Sequence, residues 1–83
     1  MYYVYVLQNE TSEYYIGYSE NLQRRLAEHN AGGNQSTKGH QWDLVYYEAY
    51  KREKYARERE QKLKKNRRMK TFFLKRIEES LSY

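Results

Sequence analysis

A chain of 83 residues makes one small domain, 1–83, that buries only about 60 % of its unfolded surface, so its core is modest. The absence of cysteine excludes disulfides and thiolate zinc sites, and no stretch approaches the ~20 apolar residues of a membrane span or a secretory leader, so a soluble cytoplasmic protein is expected. The net charge of +5 is uneven: residues 1–50 hold 3 Lys+Arg against 6 Asp+Glu, residues 51–70 hold 11 against 3, and the remainder balances. A stripe that binds polyphosphate and a plainly solvated helix both account for such a basic segment.

The chain starts with an aromatic and β-branched run, Tyr2 to Leu7, that predicts a strand. Polar residues 8–13 predict a turn, and Tyr14 to Tyr18 resumes strand composition, giving a hairpin with a loop longer than two residues. Ser19 is placed to cap a helix from about Glu20 to Asn30. Ala31-Gly32-Gly33-Asn34 ends it, with glycine available for a left-handed cap. Residues 33–41 are polar and read as a mobile loop. Trp42 to Tyr50 predicts a third strand, in which Trp42 is expected to pack into the core. A charged helix over about Glu53 to Lys65 follows. The last helix, about Met69 to Leu81, carries Phe73, Ile77 and Leu81 at spacings of four. This order predicts an α+β domain: a small three-stranded, mainly antiparallel sheet flanked by three helices.

Charged groups fall on helix stripes that otherwise face the core. Leu22, Arg25, Leu26 and His29 share one face of the first helix, whereas Arg24 and Glu28 point elsewhere. Arg25 and His29 thus border the apolar stripe, either snorkelling from its edge or serving a polar site. In the second helix Ala56, Glu60 and Leu63 share a face, while Glu58 points about 200° away. Glu60 is therefore the acid that looks inward; the alternative is a surface ion pair with Arg57 or Lys64, worth under ~1 kcal/mol. Three such charges beside tyrosine-rich strands point to a shared polar site.

These residues resemble the GIY-YIG nuclease family, in its small stand-alone members. Tyr3-Val4-Tyr5 stands at the first motif, and Tyr15-Ile16-Gly17 matches the second. Ser19 to Asn30 looks like the family helix bearing an arginine and then His or Tyr. Ala56-Arg57-Glu58-Arg59-Glu60-Gln61-Lys62-Leu63-Lys64 resembles its A-x-x-R-E-x-x-L-K helix. Two positions depart from the pattern. Tyr3 replaces the first glycine, and Tyr18 follows Gly17 where some branches carry lysine.

The resemblance implies a metal-dependent endonuclease that hydrolyses nucleic-acid phosphodiester bonds, DNA in the first instance, with low sequence specificity. It assigns Glu60 to a divalent metal, Mg²⁺ with Mn²⁺ as a substitute, and Arg25 to the scissile phosphate. Tyr5 and Tyr15 are candidates for activating water, Tyr15 the favoured of the two, and stacking within the sheet is the structural alternative for Tyr5. Moving a phenol from pKa ~10 to ~7 takes roughly 4 kcal/mol of selective phenolate stabilisation. His29 would shuttle that proton or fix a tyrosine by a hydrogen bond. Backbone contacts from Asn30, Ser36, Thr37 and Lys38 of the loop, and from Arg59 and Lys64, are secondary candidates. A nucleic-acid-binding module of the same fold without catalysis is the alternative function. A protein-docking domain is a second, and monomer and homodimer are both open.

Overall fold

Strand β1, Tyr2–Asn9, is buried on both faces over Val4, Tyr5, Val6 and Leu7, which places it at the centre of the sheet. In the computed structural model, which describes residues 1–81, the order is β2-β1-β3. The last two residues of the expected domain, Ser82 and Tyr83, lie outside the described residues. Strands β2, Tyr14–Ser19, and β3, Trp42–Tyr50, both run antiparallel to β1. With helices α1, Leu22–Asn30, α2, Glu53–Lys65, and α3, Arg67–Leu81, the sheet forms the expected α+β fold.

The sheet carries two separate cores. Val4, Val6 and Ile16 pack with Ala56 and Leu63 of α2 and Ile77 of α3. On the opposite face Tyr5, Leu7 and Trp42 pack with Tyr15, Leu44 and the α1 residues Leu22 and Leu26. The period-two alternation of β1 thus feeds both layers, and α1 with the loop after it covers the second. Trp42 is buried there as its composition predicts, its indole N–H donating to the Thr37 carbonyl at 2.9 Å.

Several boundaries differ from the sequence reading, each for a local reason. Ser19 pairs with Tyr3 as the last residue of β2, and the helix cap is Asn21, whose Oδ1 accepts the Arg24 N–H at 3.0 Å. Helix α3 starts two residues early because Asn66 accepts the Met69 N–H. Leu81, expected on the core stripe, is 46 % exposed at the end of that helix, and Leu74 packs with Phe73 instead.

The helix α1 ends as glycine predicts. Gly32 adopts φ +80° and donates to the His29 carbonyl, while Gly33 donates to the Glu28 carbonyl at 2.9 Å. This cap turns the chain back over the helix. Residues 33–41 consequently form a string of turns pinned at the fully buried Thr37, not a free loop.

Candidate active site

Tyr5, Tyr15, Arg25, His29 and Glu60 come from four elements and converge on the α1 side of the sheet. Tyr5 is opposite Gly17 in register, and a Cβ at residue 17 would clash with the phenol, 2.3 Å from its hydroxyl and 2.4 Å from Cζ. Glycine there lets the phenol lie across β2, a close approach that no other residue permits. The Tyr5 hydroxyl then meets His29 Nε2 at 2.8 Å, with the imidazole only 1 % exposed. The Tyr15 ring stands edge-on to His29, centroids 4.9 Å apart, and Asn34 Nδ2 donates to its hydroxyl at a long 3.4 Å.

Arg25 sits one helical turn before His29. It reaches Glu28 Oε1 from Nη1 at 3.4 Å, but its Nε is buried with no hydrogen-bond partner among the described residues. Arg25, Glu28, His29, Gly33 and Asn34 line a recess of about 280 Å³. The side chain as a whole is 39 % exposed, so the guanidinium can meet an anion that enters the recess.

Glu60 shares its helix face with the fully buried Ala56 and Leu63, in the inward direction that its periodicity predicts. Its carboxylate is 20 % exposed and also makes, at 3.2 Å, the ion pair with Lys64 that is the alternative reading of this acid. Lys64 Nζ in turn lies 5.6 Å from the Tyr15 ring centroid. Because β2 is an edge strand, α2 can bring this pair around to the tyrosine side.

The secondary candidates divide. Thr37 is fully buried and bonds His29 Nδ1 at 2.7 Å, so no surface remains for a nucleic-acid strand to touch. Asn30 ties α1 to β3 by exchanging bonds with the Trp42 backbone, at 2.6 and 3.1 Å. Arg59 is spent on Glu48 through two bonds, 3.0 and 3.1 Å, on the opposite face of the sheet. Ser36 and Lys38 are exposed on the loop, and Lys64 is partnered by Glu60. Sequence reasoning missed Asn34 at Tyr15, Glu28 at Arg25 and Thr37 at the imidazole. Only the Gly32-Gly33 cap hinted that this loop folds back onto His29.

Comparison with known proteins decides the family. The model of the GIY-YIG catalytic domain matches residues 1–73. The chain belongs to the GIY-YIG family. A UPF0213 protein of Clostridium perfringens is 34 % identical over 84 aligned positions, covering 95 % of this chain and 90 % of the relative. One from Natronomonas pharaonis is 41 % identical over 75 % of each chain. A third, from Halobacterium salinarum, is 50 % identical over 47 % of this chain and 52 % of its own. No solved structure gives a significant match.

GIY-YIG domains are nuclease-type domains that act on nucleic acid and generally use a divalent metal. No group of three or more His, Cys, Asp or Glu side chains able to hold a metal occurs among the described residues. A cation here would rest on one protein carboxylate. Glu60 fits that demand, since Mg²⁺ takes hard oxygen ligands and fills most positions with water and phosphate oxygens. No helix of the described residues is long and apolar enough to cross a membrane.

Two groups of the GIY-YIG site, Tyr5 and His29, are held away from their usual ranges. Burial pushes the Tyr5 phenol well up, and the neighbouring Tyr15 pushes the same way. Glu60 and Glu28 add to the rise, and only Arg25 opposes it. Burial, then the Arg25 charge, lowers His29, so its imidazole is neutral near pH 7. His40 is instead raised by its bond to Glu10. The chain has two histidines, so the contrast can be read directly. In an NMR titration His29 is expected to protonate below the usual ~6.5 and His40 above it. The reverse order would contradict the buried geometry.

Proposed function

We propose that this chain is a metal-dependent endonuclease that hydrolyses nucleic-acid phosphodiester bonds, DNA in the first instance, with low sequence specificity, in the cytoplasm. The observation that carries this reading is the buried, unpartnered Arg25 Nε in a recess beside the Tyr5–His29 pair. A phosphodiester oxygen supplies the acceptor that this donor lacks, and a planar guanidinium can grip it with more than one N–H. Glu60 would hold the divalent cation, which supplies charge neutralisation at phosphate and at the departing oxygen.

The rest is done by the chain's own groups. Arg25 fixes the phosphate and stabilises the charge that grows on it. Tyr5 is the better placed of the two tyrosines to take the proton of the attacking water, because His29 Nε2 can receive the phenolic proton at 2.8 Å. Burial makes a free Tyr5 phenolate scarce at pH 7, with each unit of rise removing another factor of ten. Passing the proton through to imidazole avoids that ion. Tyr15, stacked edge-on against His29, walls the site and can hydrogen-bond phosphate.

Labelled single-stranded, duplex and branched DNA and RNA, incubated with Mg²⁺, Mn²⁺ or EDTA, test the proposal. Cleavage is expected with Mg²⁺ or Mn²⁺, at many positions, and none with EDTA. Cleavage at one defined site in a long random duplex would overturn low specificity. Salt-sensitive binding without cleavage of any substrate would move the reading to a binding module.

A further inference from the structure

Three buried groups in the site form a chain of hydrogen bonds whose direction can be worked out from donor supply. The Tyr5 hydroxyl lies 2.8 Å from His29 Nε2, His29 Nδ1 lies 2.7 Å from Thr37 Oγ1, and Thr37 Oγ1 lies 3.3 Å from the Asn34 carbonyl. Tyr5, His29 and Thr37 are 3 %, 1 % and 0 % exposed, so in the substrate-free chain water is a poor substitute partner for any of them, and the attacking water must enter with the substrate. A neutral imidazole carries one N–H, a hydroxyl carries one, and a carbonyl only accepts.

Two arrangements are possible. If His29 carries its proton on Nε2, it donates to Tyr5 and receives from Thr37. The Tyr5 proton then has no acceptor. If the proton is on Nδ1, His29 donates to Thr37, Thr37 donates to Asn34, and Tyr5 donates to Nε2. Every donor is satisfied only in the second case.

We propose that Thr37 is a positioning residue: by accepting from Nδ1 and donating its own O–H to the Asn34 carbonyl, it fixes His29 in the Nδ1–H tautomer and so aims the Tyr5 proton at Nε2. The part this plays in catalysis rests on the nuclease reading; the tautomer itself does not. In the proposed reaction the water O–H bond breaks as a Tyr5 O–H bond forms. The original Tyr5 O–H bond breaks as His29 gains Nε2–H and becomes imidazolium, and the water oxygen bonds to phosphorus as the scissile P–O bond breaks and its leaving oxygen takes a proton from solvent. His29 in the other tautomer would have no lone pair on Nε2, and the relay would stop.

The gene-encoded neighbours explain how a loop threonine reaches this position. Gly32 and Gly33 reverse the chain at the end of α1, and the Trp42 indole holds the Thr37 carbonyl at 2.9 Å. The hydroxyl is thereby set from both sides of the loop.

The test reads the two imidazole nitrogens of His29 by ¹⁵N NMR above its pKa, in the wild-type chain, Thr37→Val and Thr37→Ser. The wild type and Thr37→Ser should show a protonated Nδ1 and a bare Nε2, and Thr37→Val should gain the Nε2–H form. On a cleavable oligonucleotide kcat should fall at least tenfold in Thr37→Val with KM little changed, and recover in Thr37→Ser. A wild-type Nε2–H imidazole, or an unchanged tautomer in Thr37→Val, would overturn the assignment. A shifted tautomer with unchanged kcat would overturn the catalytic role alone. Absence of wild-type cleavage would sink the nuclease reading and leave the tautomer result to be judged separately.

Discussion

Replacing Glu60 by glutamine is expected to lower metal-dependent cleavage by about 10³-fold or more, while binding to nucleic acid in EDTA stays unchanged. The substitution keeps the shape and removes only the charge. The ion pair with Lys64 is lost, but Lys64 is 45 % exposed and such surface pairs contribute ~0–1 kcal/mol, so the thermal midpoint should hardly move. The effect on Tyr5 runs against the expected loss. Glu60 raises the Tyr5 phenol, so glutamine should make that proton slightly easier to remove. A large fall in rate would therefore report a role for the carboxylate other than tuning Tyr5. Glu58 is the control, being exposed on the same helix about 200° from Glu60. Glu58→Gln should cleave within about twofold of the wild type. If Glu60→Gln kept more than a tenth of the activity, the carboxylate could not be the seat of the cation.

Helix periodicity singled out Arg25, His29 and Glu60 because the candidate site is built from ordinary stripes with polar residues in them. Glu60 replaces an apolar residue between the buried Ala56 and Leu63, and His29 ends the stripe that begins with Leu22 and Leu26. Both anomalies are local to one helix and visible at spacings of three and four. The sheet order needed more, since residues 2–7 and 14–18 look alike in composition. Only burial on both faces distinguishes the central β1 from the edge strand β2.

What could not be read depends on long-range closure. Thr37, Asn34 and Asn30 sit among polar residues that share no period, and each acquires its partner from another element. The same holds for Arg59. It belongs to the basic run, yet Glu48 takes both ends of its guanidinium because β3 passes beside α2. A charge count treats that arginine as available. The fold shows that it is committed.

Replacing Arg25 by lysine is expected to lower kcat by about 10²- to 10³-fold, although the charge is kept. The argument lies in the geometry of the donor. The Arg25 Nε is buried without a partner among the described residues, and Nη1 is already drawn to Glu28 at 3.4 Å. Lysine has no N–H at the depth of Nε, and its ammonium presents one point where a guanidinium presents a plane. The charge itself has a separate signature. Burial, and after it the Arg25 charge, lowers His29, which must be neutral to accept the Tyr5 proton, so activity should fall on the acid side as pH drops through a value below ~6.5. Arg25→Lys retains a positive charge near His29 and should keep that acid limb in place while losing rate. Arg25→Gln removes the charge, lets the imidazole pKa rise, and should move the limb to higher pH. A pH–rate profile for the two variants separates the contributions. Wild-type rate in Arg25→Lys would mean that phosphate is held by charge alone, and an unmoved limb in Arg25→Gln would mean that His29 is not the group that accepts the proton.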